Sequence, residues 1–418
     1  MMQFLSVMEN ALWGILTFSI LVVMHEGGHF LAARAFGVKV HEFMIGLPGP
    51  SLRFRWRDMD WGITAVPLGG YVRIAGMEPG EEDALVGETL AAIRDHGISE
   101  PHALARLLGV EEERAAALLF TVEDWKAVRR DKEGTLSLTV PGDTEAADST
   151  ELADQARSVT YRGKSTPKRI IILAMGVITN LLVAVLTLTV FFAVFGYMET
   201  TTVIAGVEDG SPAQNAGVLP GDEIVAVDGE RFDSADRFLT IMGRTDAGDT
   251  AIISVLRDEE TIELPVTLAE QEGHGYLGIN LSGGPQRPGI IESFGMSLGY
   301  VRLVFQVIMD LFDPATFSGT VRNFTGPIGV SVLAGDAVSG GPLAYASLIA
   351  MLSLSLGVMN ILPIPPLDGG KIALEIVERV IGRPLSRTIT LGFSAVGMAL
   401  LFGLIGIIMY QDIIRYAF

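Results

Sequence analysis

The stretch that decides the fold is "VVMHEGGHFLAARAFG" (residues 22–37). Two histidines and a glutamate stand near the end of an apolar run that begins around Ala11. Ionisable groups inside such a run are costly and usually have a function. His25 and His29 are four residues apart, so on a helix they project from one face about one turn apart. That spacing lets two imidazoles hold one zinc ion while Glu26 reaches a water at the metal, the H-E-x-x-H arrangement. An ion held there would polarise a carbonyl and acidify the water, and the glutamate would take its proton. The plainer alternative is a chance pattern of histidines satisfied by neighbours. The apolar surroundings argue against it, because an unpaired charge there costs several kcal/mol. Gly27 and Gly28 weaken the helix but leave room for another segment to approach closely.

Working outward, 49% of the 418 residues are hydrophobic and only 19% are charged. This is the composition of a membrane protein. Four segments are long and apolar enough to enter a bilayer, at about 20 residues of helix each. They run over residues 11–33, 170–198, 342–362 and 389–410. The first lacks a basic leading region and a small-residue cleavage site, so it is expected to be a retained span rather than a signal peptide. The chain contains no cysteine, which excludes thiol nucleophiles, disulfides and thiolate ligands. Any metal must be held by nitrogen and oxygen.

The net charge of −19 is unevenly spread: residues 78–151 carry 18 acidic and 7 basic side chains, residues 199–272 carry 17 and 4, and the remainder is net positive. The acidic stretches are expected to be water-exposed and the basic remainder to lie at the membrane, with no nucleic-acid surface. Arg34 and Lys39 follow the first span, Arg162, Lys164, Lys168 and Arg169 precede the second, and Lys371, Arg379, Arg383 and Arg387 lie between the last two. These loops are expected to be cytoplasmic, with both termini and residues 199–341 outside. Arg415 mildly opposes this.

After the first span, residues 51–57 and 61–66 alternate and are broken by Gly and Pro, the pattern of short β-hairpins at a membrane interface. "EPHALARLLGVEEERAAALLF" (residues 100–120) predicts two short helices around Gly109, followed by a strand in "GTLSLTV". That order resembles a small winged-helix unit, but its acidity argues against DNA, and a helical insertion packed on the cytoplasmic face is the simpler reading. In "DGSPAQNAGVLPGDEIVAVDGERF" (residues 209–232) a helix starts at Ser211-Pro212, a strand covers residues 223–227, and Asp228-Gly229 makes a hairpin turn. Residues 294–311 are apolar but carry Arg302 and end in acids, so they are expected to form an amphipathic helix on the outer membrane surface rather than a fifth span.

A catalytic zinc site takes a third protein ligand and keeps one position open. None of His41, His96, His102 and His274 lies in a span. The best candidate is Asp368 in "GVMNILPIPPLDGGKIAL" (residues 357–374), where three prolines break the third span and leave backbone groups for a cavity to satisfy. The alternative is that Asp368 simply N-caps a helix beginning at Gly369.

H-E-x-x-H in a first span and N-x-x-P-x-x-x-x-D-G-G in a third, with a PDZ-type domain between, resemble the site-2 protease family. The likeness is to its bacterial single-PDZ branch, related to the regulator-of-sigma-E protease, and covers most of the chain except residues 78–160. The resemblance implies a polytopic α-helical membrane protein of about four transmembrane helices, with a β-rich re-entrant loop and an inserted extracytoplasmic α+β PDZ domain. Its expected order is a first span (1–37), the β-rich loop (38–77), an acidic cytoplasmic insertion (78–169), a second span (170–198), the PDZ domain (199–285), a membrane-surface segment with a "TGPIGV" loop (286–341), a third span and cytoplasmic helix (342–388) and a fourth span (389–418).

Carried over by residue, the resemblance makes His25, His29 and Asp368 the ligands of Zn2+, Glu26 the general base and Asn360 a donor to the substrate backbone or the tetrahedral intermediate. Asn180, in "AMGVITN", and Gly69, Gly70 and Tyr71, in "PLGGYVRIAG", would meet the substrate, the latter through strand addition. Gly275, Tyr276, Leu277, Gly278 and Ile279 would form the PDZ peptide-binding loop, which captures C-termini or serves as a size filter. The implied activity is hydrolysis of peptide bonds within transmembrane helices of single-span proteins, of the anti-sigma-factor or remnant-signal-peptide type. The implied location is the bacterial cytoplasmic membrane, with the active site toward the cytoplasm and a cytoplasmic protein as a candidate partner of the acidic insertion. The competing classes are a non-catalytic PDZ-bearing scaffold, which is expected to lack the base or a ligand, and a metal transporter, which needs polar residues stepping through several spans.

Overall fold

The computed structural model describes residues 2–66, 69–77, 83–140, 147–271 and 274–417. Pro67 and Leu68 of the "PLGGYVRIAG" stretch and the expected domain boundary at Glu78 lie outside the described residues. The chain divides into one unit of residues 1–189 with 294–418 and a second of residues 190–293.

The first unit opens with helix α1 (Met2–Ala35), which carries the histidine motif. A four-stranded sheet follows: β1 (Val40–Ile45), β2 (Ser51–Trp56), β3 (Met59–Thr64) and β4 (Gly70–Ile74), in the order β2-β3-β1-β4. Strands β1 and β3 are parallel and the other pairs antiparallel. The predicted hairpin is present as β2–β3, turning through Arg57 at φ 55°. One face of the sheet lies against α1, where Phe30 meets Phe43 and Trp61 edge-on and those two rings stack 5.3 Å apart. Aromatic clusters of this kind add to the area they bury.

The insertion forms α2 (Val86–His96), α3 (Pro101–Leu108), α4 (Glu112–Asp124), strands β5 (Val128–Arg130) and β6 (Leu136–Leu138), and α5 (Ser149–Ser158). As the sequence predicts, α3 and α4 flank Gly109, which takes the left-handed conformation at the end of α3 where glycine is least strained. Leu90, Leu104, Leu118, Val122, Trp125 and Leu152 give this segment a core of its own. It is keyed to the sheet by polar groups. Lys39 Nζ donates to the carbonyls of Lys126 and Thr139, at 2.9 and 3.0 Å, and Lys126 Nζ to that of Val40 at 2.7 Å. His41 Nε2 donates to the Asp124 carbonyl, and Gly76 N to the Asp124 carboxylate. Burial pushes the Lys126 ammonium down to about 8 and the His41 imidazole down to about 4, so His41 is neutral at pH 7 and its proton sits on the donating nitrogen.

Helix α6 (Thr166–Phe195) leads into the second unit. There the elements are β7 (Tyr197–Val207), α7 (Pro212–Asn215), β8 (Glu223–Val227), β9 (Glu230–Arg231), α8 (Ala235–Met242), β10 (Thr250–Arg257), β11 (Glu260–Thr267), β12 (Ala269–Gln271), β13 (His274–Tyr276) and β14 (Ile279–Gln286). The main sheet runs β11-β10-β8-β7-β14. Ser211 caps α7 by accepting from Gln214 N. Asp228 and Gly229, both at positive φ, make the β8–β9 turn as two-residue hairpins require.

The first unit resumes with α9 (Ile290–Met309), α10 (Phe317–Asn323), α11 (Pro327–Ser339), α12 (Pro342–Ile361), α13 (Asp368–Ile381) and α14 (Arg387–Ala417). Among the described residues, five helical stretches are long and apolar enough to cross a membrane: Ser6–Ala35, Thr166–Phe195, Ile290–Phe312, Pro342–Ile361 and Thr388–Arg415. The one beyond the expected four contains α9.

The "TGPIGV" segment gains a physical role. Asp412, buried near the end of α14, accepts from Gly326 N at 3.1 Å and Gly329 N at 2.9 Å, satisfying two backbone donors at the start of α11 that the helix itself leaves unpaired. Helix α11 in turn packs tightly on α1: a Cβ on Gly14 would strike Ser331, and one on Gly335 would strike Asn10.

A second buried polar cluster fixes α13. Arg169 of α6 pairs with Glu375 at 3.1 Å, and Tyr161 OH donates to the same carboxylate at 2.9 Å. Removing Glu375 strands the Arg169 charge. Glu375→Ala is therefore expected to lose about 3–5 kcal/mol, read as a lower denaturation midpoint in detergent. Adding Arg169→Leu is expected to restore much of it.

Candidate active site

Helix α1 presents His25 and His29 on one face, both buried, and α13 presents Asp368 to them. Asp368 Oδ2 lies 2.9 Å from His25 Nε2 and 3.0 Å from His29 Nε2, and the two nitrogens are 3.3 Å apart. The alternative of an N-cap does not describe Asp368: Leu367 occupies that position, and the Asp368 side chain makes no capping bond. It sits in the first helical turn because Gly369 and Gly370 let α13 close onto the preceding loop. A Cβ on Gly369 would lie 2.2 Å from the Ile361 carbonyl oxygen, and one on Gly370 2.4 Å from Pro365 N.

The hydrogen bonds around the trio decide what it holds. His29 Nδ1 lies 2.8 Å from the Ile172 carbonyl; a carbonyl only accepts, so Nδ1 carries the proton and neutral His29 turns a bare Nε2 lone pair to Asp368. His25 Nδ1 is 3.3 Å from the Asn180 amide, whose Oδ1 is otherwise buried without a partner. Amide orientation is an assignment; rotating it puts Oδ1 against His25 Nδ1–H and gives both residues a bond. With both rings neutral, both Nε2 lone pairs and a carboxylate oxygen converge on one point, an arrangement that suits a cation. A tetrahedral ion with bonds of about 2.0–2.1 Å has its ligands about 3.3 Å apart. The observed separations fit zinc to within a few tenths of an ångström, and a backbone carbonyl such as that of Ile172 is a usual outer partner of a metal-bound histidine.

Glu26 lies beside the trio, and its Oε2 accepts from Val72 N of β4 at 3.1 Å. Strand β4 is at the edge of its sheet, and this bond fixes that edge against the motif. The glycines on α1 divide their roles. A Cβ on Gly28 would lie 2.4 Å from the Met175 carbonyl oxygen of α6, so that helix approaches as closely as expected there. Gly27 meets nothing and instead lines an apolar cavity of about 500 Å3, with Val23, Phe30, Phe43, Trp61 and Ile63.

The remaining expected residues are placed as follows. Asn180 is fully buried, its contact being with the His25 ring. Asn360 closes the last turn of α12, where its amide donates to the Leu356 carbonyl at 3.0 Å. Gly69 takes φ +93° and Gly70 packs against the Met44 carbonyl, while Tyr71 OH donates to Glu42 at 3.3 Å. In the second unit, Gly275 N donates to Thr245, and Tyr276 bonds the Glu208 side chain. Buried Leu277 accepts from Ala213 N, Gly278 sits at φ +79° against Ser211, and Ile279 pairs with Val207.

Gly176 is a site residue that sequence pattern alone does not single out. A Cβ there would fall 2.4 Å from His29 Nε2 and 2.8 Å from His25 Cε1. Its only signal is a glycine inside the apolar "AMGVITN" run. Gly176→Ala is expected to displace a ligand ring and lower zinc affinity roughly 10–100-fold, the range seen when a ligand's support is lost. Zinc titration of the purified protein measures this.

The model of peptidase family M50 matches residues 13–404. The chain belongs to peptidase family M50. A protein of Agrobacterium fabrum whose name assigns it as a zinc metalloprotease is 28% identical, over 96% of this chain and 94% of its own. One from Enterococcus faecalis, named as protease eep, is 27% identical over 98% and 100%. A solved PDZ domain of an SdrC-like protein from Listeria innocua is 27% identical over 19% of this chain and 92% of that one, with a TM-score of 0.18. The likeness to the site-2 protease family is thus established, and with it a zinc-dependent peptidase whose apolar helices make it a multi-pass membrane protein. His25, His29, Asp368 and the adjacent Glu26 lie within the matched region.

Proposed function

We propose that this M50 peptidase cuts peptide bonds inside the transmembrane helices of single-span membrane proteins. The carrying observation is that His25, His29 and Glu26 stand on a helix of 30 apolar-rich residues, joined there by Asp368. When bound, zinc supplies Lewis-acid polarisation of the scissile carbonyl and acidifies the attacking water. The protein does the rest. Glu26, oriented by Val72 N–H, accepts the proton of that water and passes it to the leaving amine. Asn180 and the Ile172 carbonyl hold the two imidazoles in register. The outer edge of β4 takes up the unwound substrate by strand addition at Gly69, Gly70 and Tyr71, ahead of the Val72 N–H that Glu26 holds, and the apolar cavity beside Gly27 accepts a substrate side chain. Asn360 donates to the substrate backbone.

The basic loops favour the cytoplasmic bacterial membrane with the zinc site toward the cytoplasm and the second unit outside. In that frame α9 lies on the outer surface. Supporting this, Thr189 near the end of α6 bonds Ser297 early in α9, while Arg322, shortly after α9, bonds Arg415 at the end of α14. The second unit, read as a PDZ domain whose loop is Gly275–Ile279, filters substrates by size, and anti-sigma factors or remnant signal peptides are substrates of the right form. The acidic insertion offers a cytoplasmic partner its exposed face. The test is cleavage of a purified single-span protein in detergent, with product masses locating the cut. A cut within the apolar segment supports the reading; cuts confined to the flanks, or equal cleavage of an unfolded soluble protein, overturn it.

A further inference from the structure

A cavity of about 780 Å3 opens away from the zinc-binding trio, between the start of α6 and the turn that joins α13 to α14. Its volume is in the range of small-molecule sites, about 300–1,000 Å3. Six cations line it, Arg157, Arg162, Lys164, Arg169, Arg379 and Arg383, against one carboxylate, Glu378. Glu378 is already engaged by the backbone N–H of Leu385 at 3.0 Å. Arg169 is neutralised by Glu375, but the Lys164 ammonium has only the neutral Ser158 carbonyl as acceptor among the described residues. Burial and the nearby Lys168 both push Lys164 down, as expected for a cation short of counter-charge. Arg379 and Arg383 form no ion pair among the described residues.

Like charges gathered around a concavity repel one another; Arg157 and Arg162 have partners of their own and Arg169 has Glu375, which leaves Lys164, Arg379 and Arg383 without a carboxylate among the described residues. The depth of the cavity adds a second constraint. Thr166 and Thr388, which flank it in the chain, begin two of the apolar stretches long enough to cross a membrane, so the cavity stands at the level where hydrocarbon gives way to headgroups. Guanidinium groups bind phosphate oxygens in pairs, and basic pockets between helices at this level hold phospholipid headgroups.

We propose that this cavity is a binding site for a phosphate group, occupied by the phosphodiester headgroup of an anionic phospholipid. It is separate from the peptidase chemistry and does not depend on the cleavage reading. Because α13 carries Asp368 at one end and lines the cavity at the other, an occupied site also holds the ligand helix at its far end.

The full chain, purified in detergent, is mixed with phosphatidylglycerol or phosphatidylcholine, and bound lipid is counted by native mass spectrometry. Thermal unfolding with inorganic phosphate is run in parallel. The Arg379→Ala/Arg383→Ala protein and its Gln/Gln counterpart are compared with wild type, with elution profile and zinc content reporting that each is folded. Wild type is expected to prefer phosphatidylglycerol, and both variants to bind it about 25-fold more weakly, roughly fivefold per cation. Stabilisation of wild type alone by inorganic phosphate, without a lipid preference, keeps the phosphate site and makes its source soluble. Equal phosphatidylglycerol binding by wild type and both variants, or no binding of either probe by wild type, overturns the proposal.

Discussion

Glu26→Gln is expected to keep zinc at full occupancy and lose about 100-fold to 10,000-fold in kcat, the usual contribution of a positioned proton acceptor. The substitution keeps the size of the side chain and one oxygen, so Val72 N–H still finds an acceptor where it now bonds Oε2 at 3.1 Å. What disappears is the basicity. Glu26 is not among the three converging ligands, so the metal trio is untouched. Zinc analysis of the purified variant beside cleavage of the single-span substrate checks both halves. Loss of zinc together with activity would recast Glu26 as a ligand or as a structural support. Retained activity would remove it as the base.

How far this site is legible in the sequence depends on distance along the chain. The i, i+4 pair and the intervening glutamate are local, and helix geometry alone puts them on one face. Asp368 lies 339 residues from His29, yet it stands out, because a carboxylate among prolines and glycines inside an apolar span is too costly to sit there without a partner. The strands of residues 51–66 and the helices around Gly109 are equally local. What escapes is whatever depends on backbone groups or close packing. Val72 contributes a peptide N–H, which every residue except proline has, and so leaves no trace in the sequence. Gly176 matters for the atoms it lacks. The bonds from Asp412 to Gly326 and Gly329 join an apparently ordinary acid to a segment more than 80 residues earlier. The helix count goes another way: Arg302 and the acids Asp310 and Asp313 give residues 294–311 an amphipathic look, while the length and mean hydropathy of the Ile290–Phe312 stretch alone admit it among the spans.

Asp368→Asn is expected to weaken zinc binding by more than about 100-fold, beyond the 10–100-fold typical of residues that only support a ligand. Oδ2 is the atom that touches both imidazole nitrogens, and it brings the only negative charge in the trio. With asparagine, two neutral rings and a neutral amide face a divalent ion, and the amide has even odds of turning its NH2 inward. The asparagine cannot be drawn away by a shift of α13, because the glycines that follow seat that helix hard against the Ile361 and Leu362 carbonyls. Lys371, 3.5 Å from the other carboxylate oxygen, then faces the ion without its screen. The fold itself is expected to persist, since Asp368 makes no capping bond and Glu375 still ties α13 to Arg169. Competition with a chelator of known affinity measures the loss, and an unchanged unfolding midpoint of the zinc-free proteins separates it from misfolding. If the variant held zinc as tightly as wild type, the third ligand would have to come from elsewhere, and the placement of Asp368 against both histidines would need another cause. Set beside Glu26→Gln, which keeps the metal and loses the chemistry, the result distinguishes the carboxylate that holds the ion from the one that moves the proton.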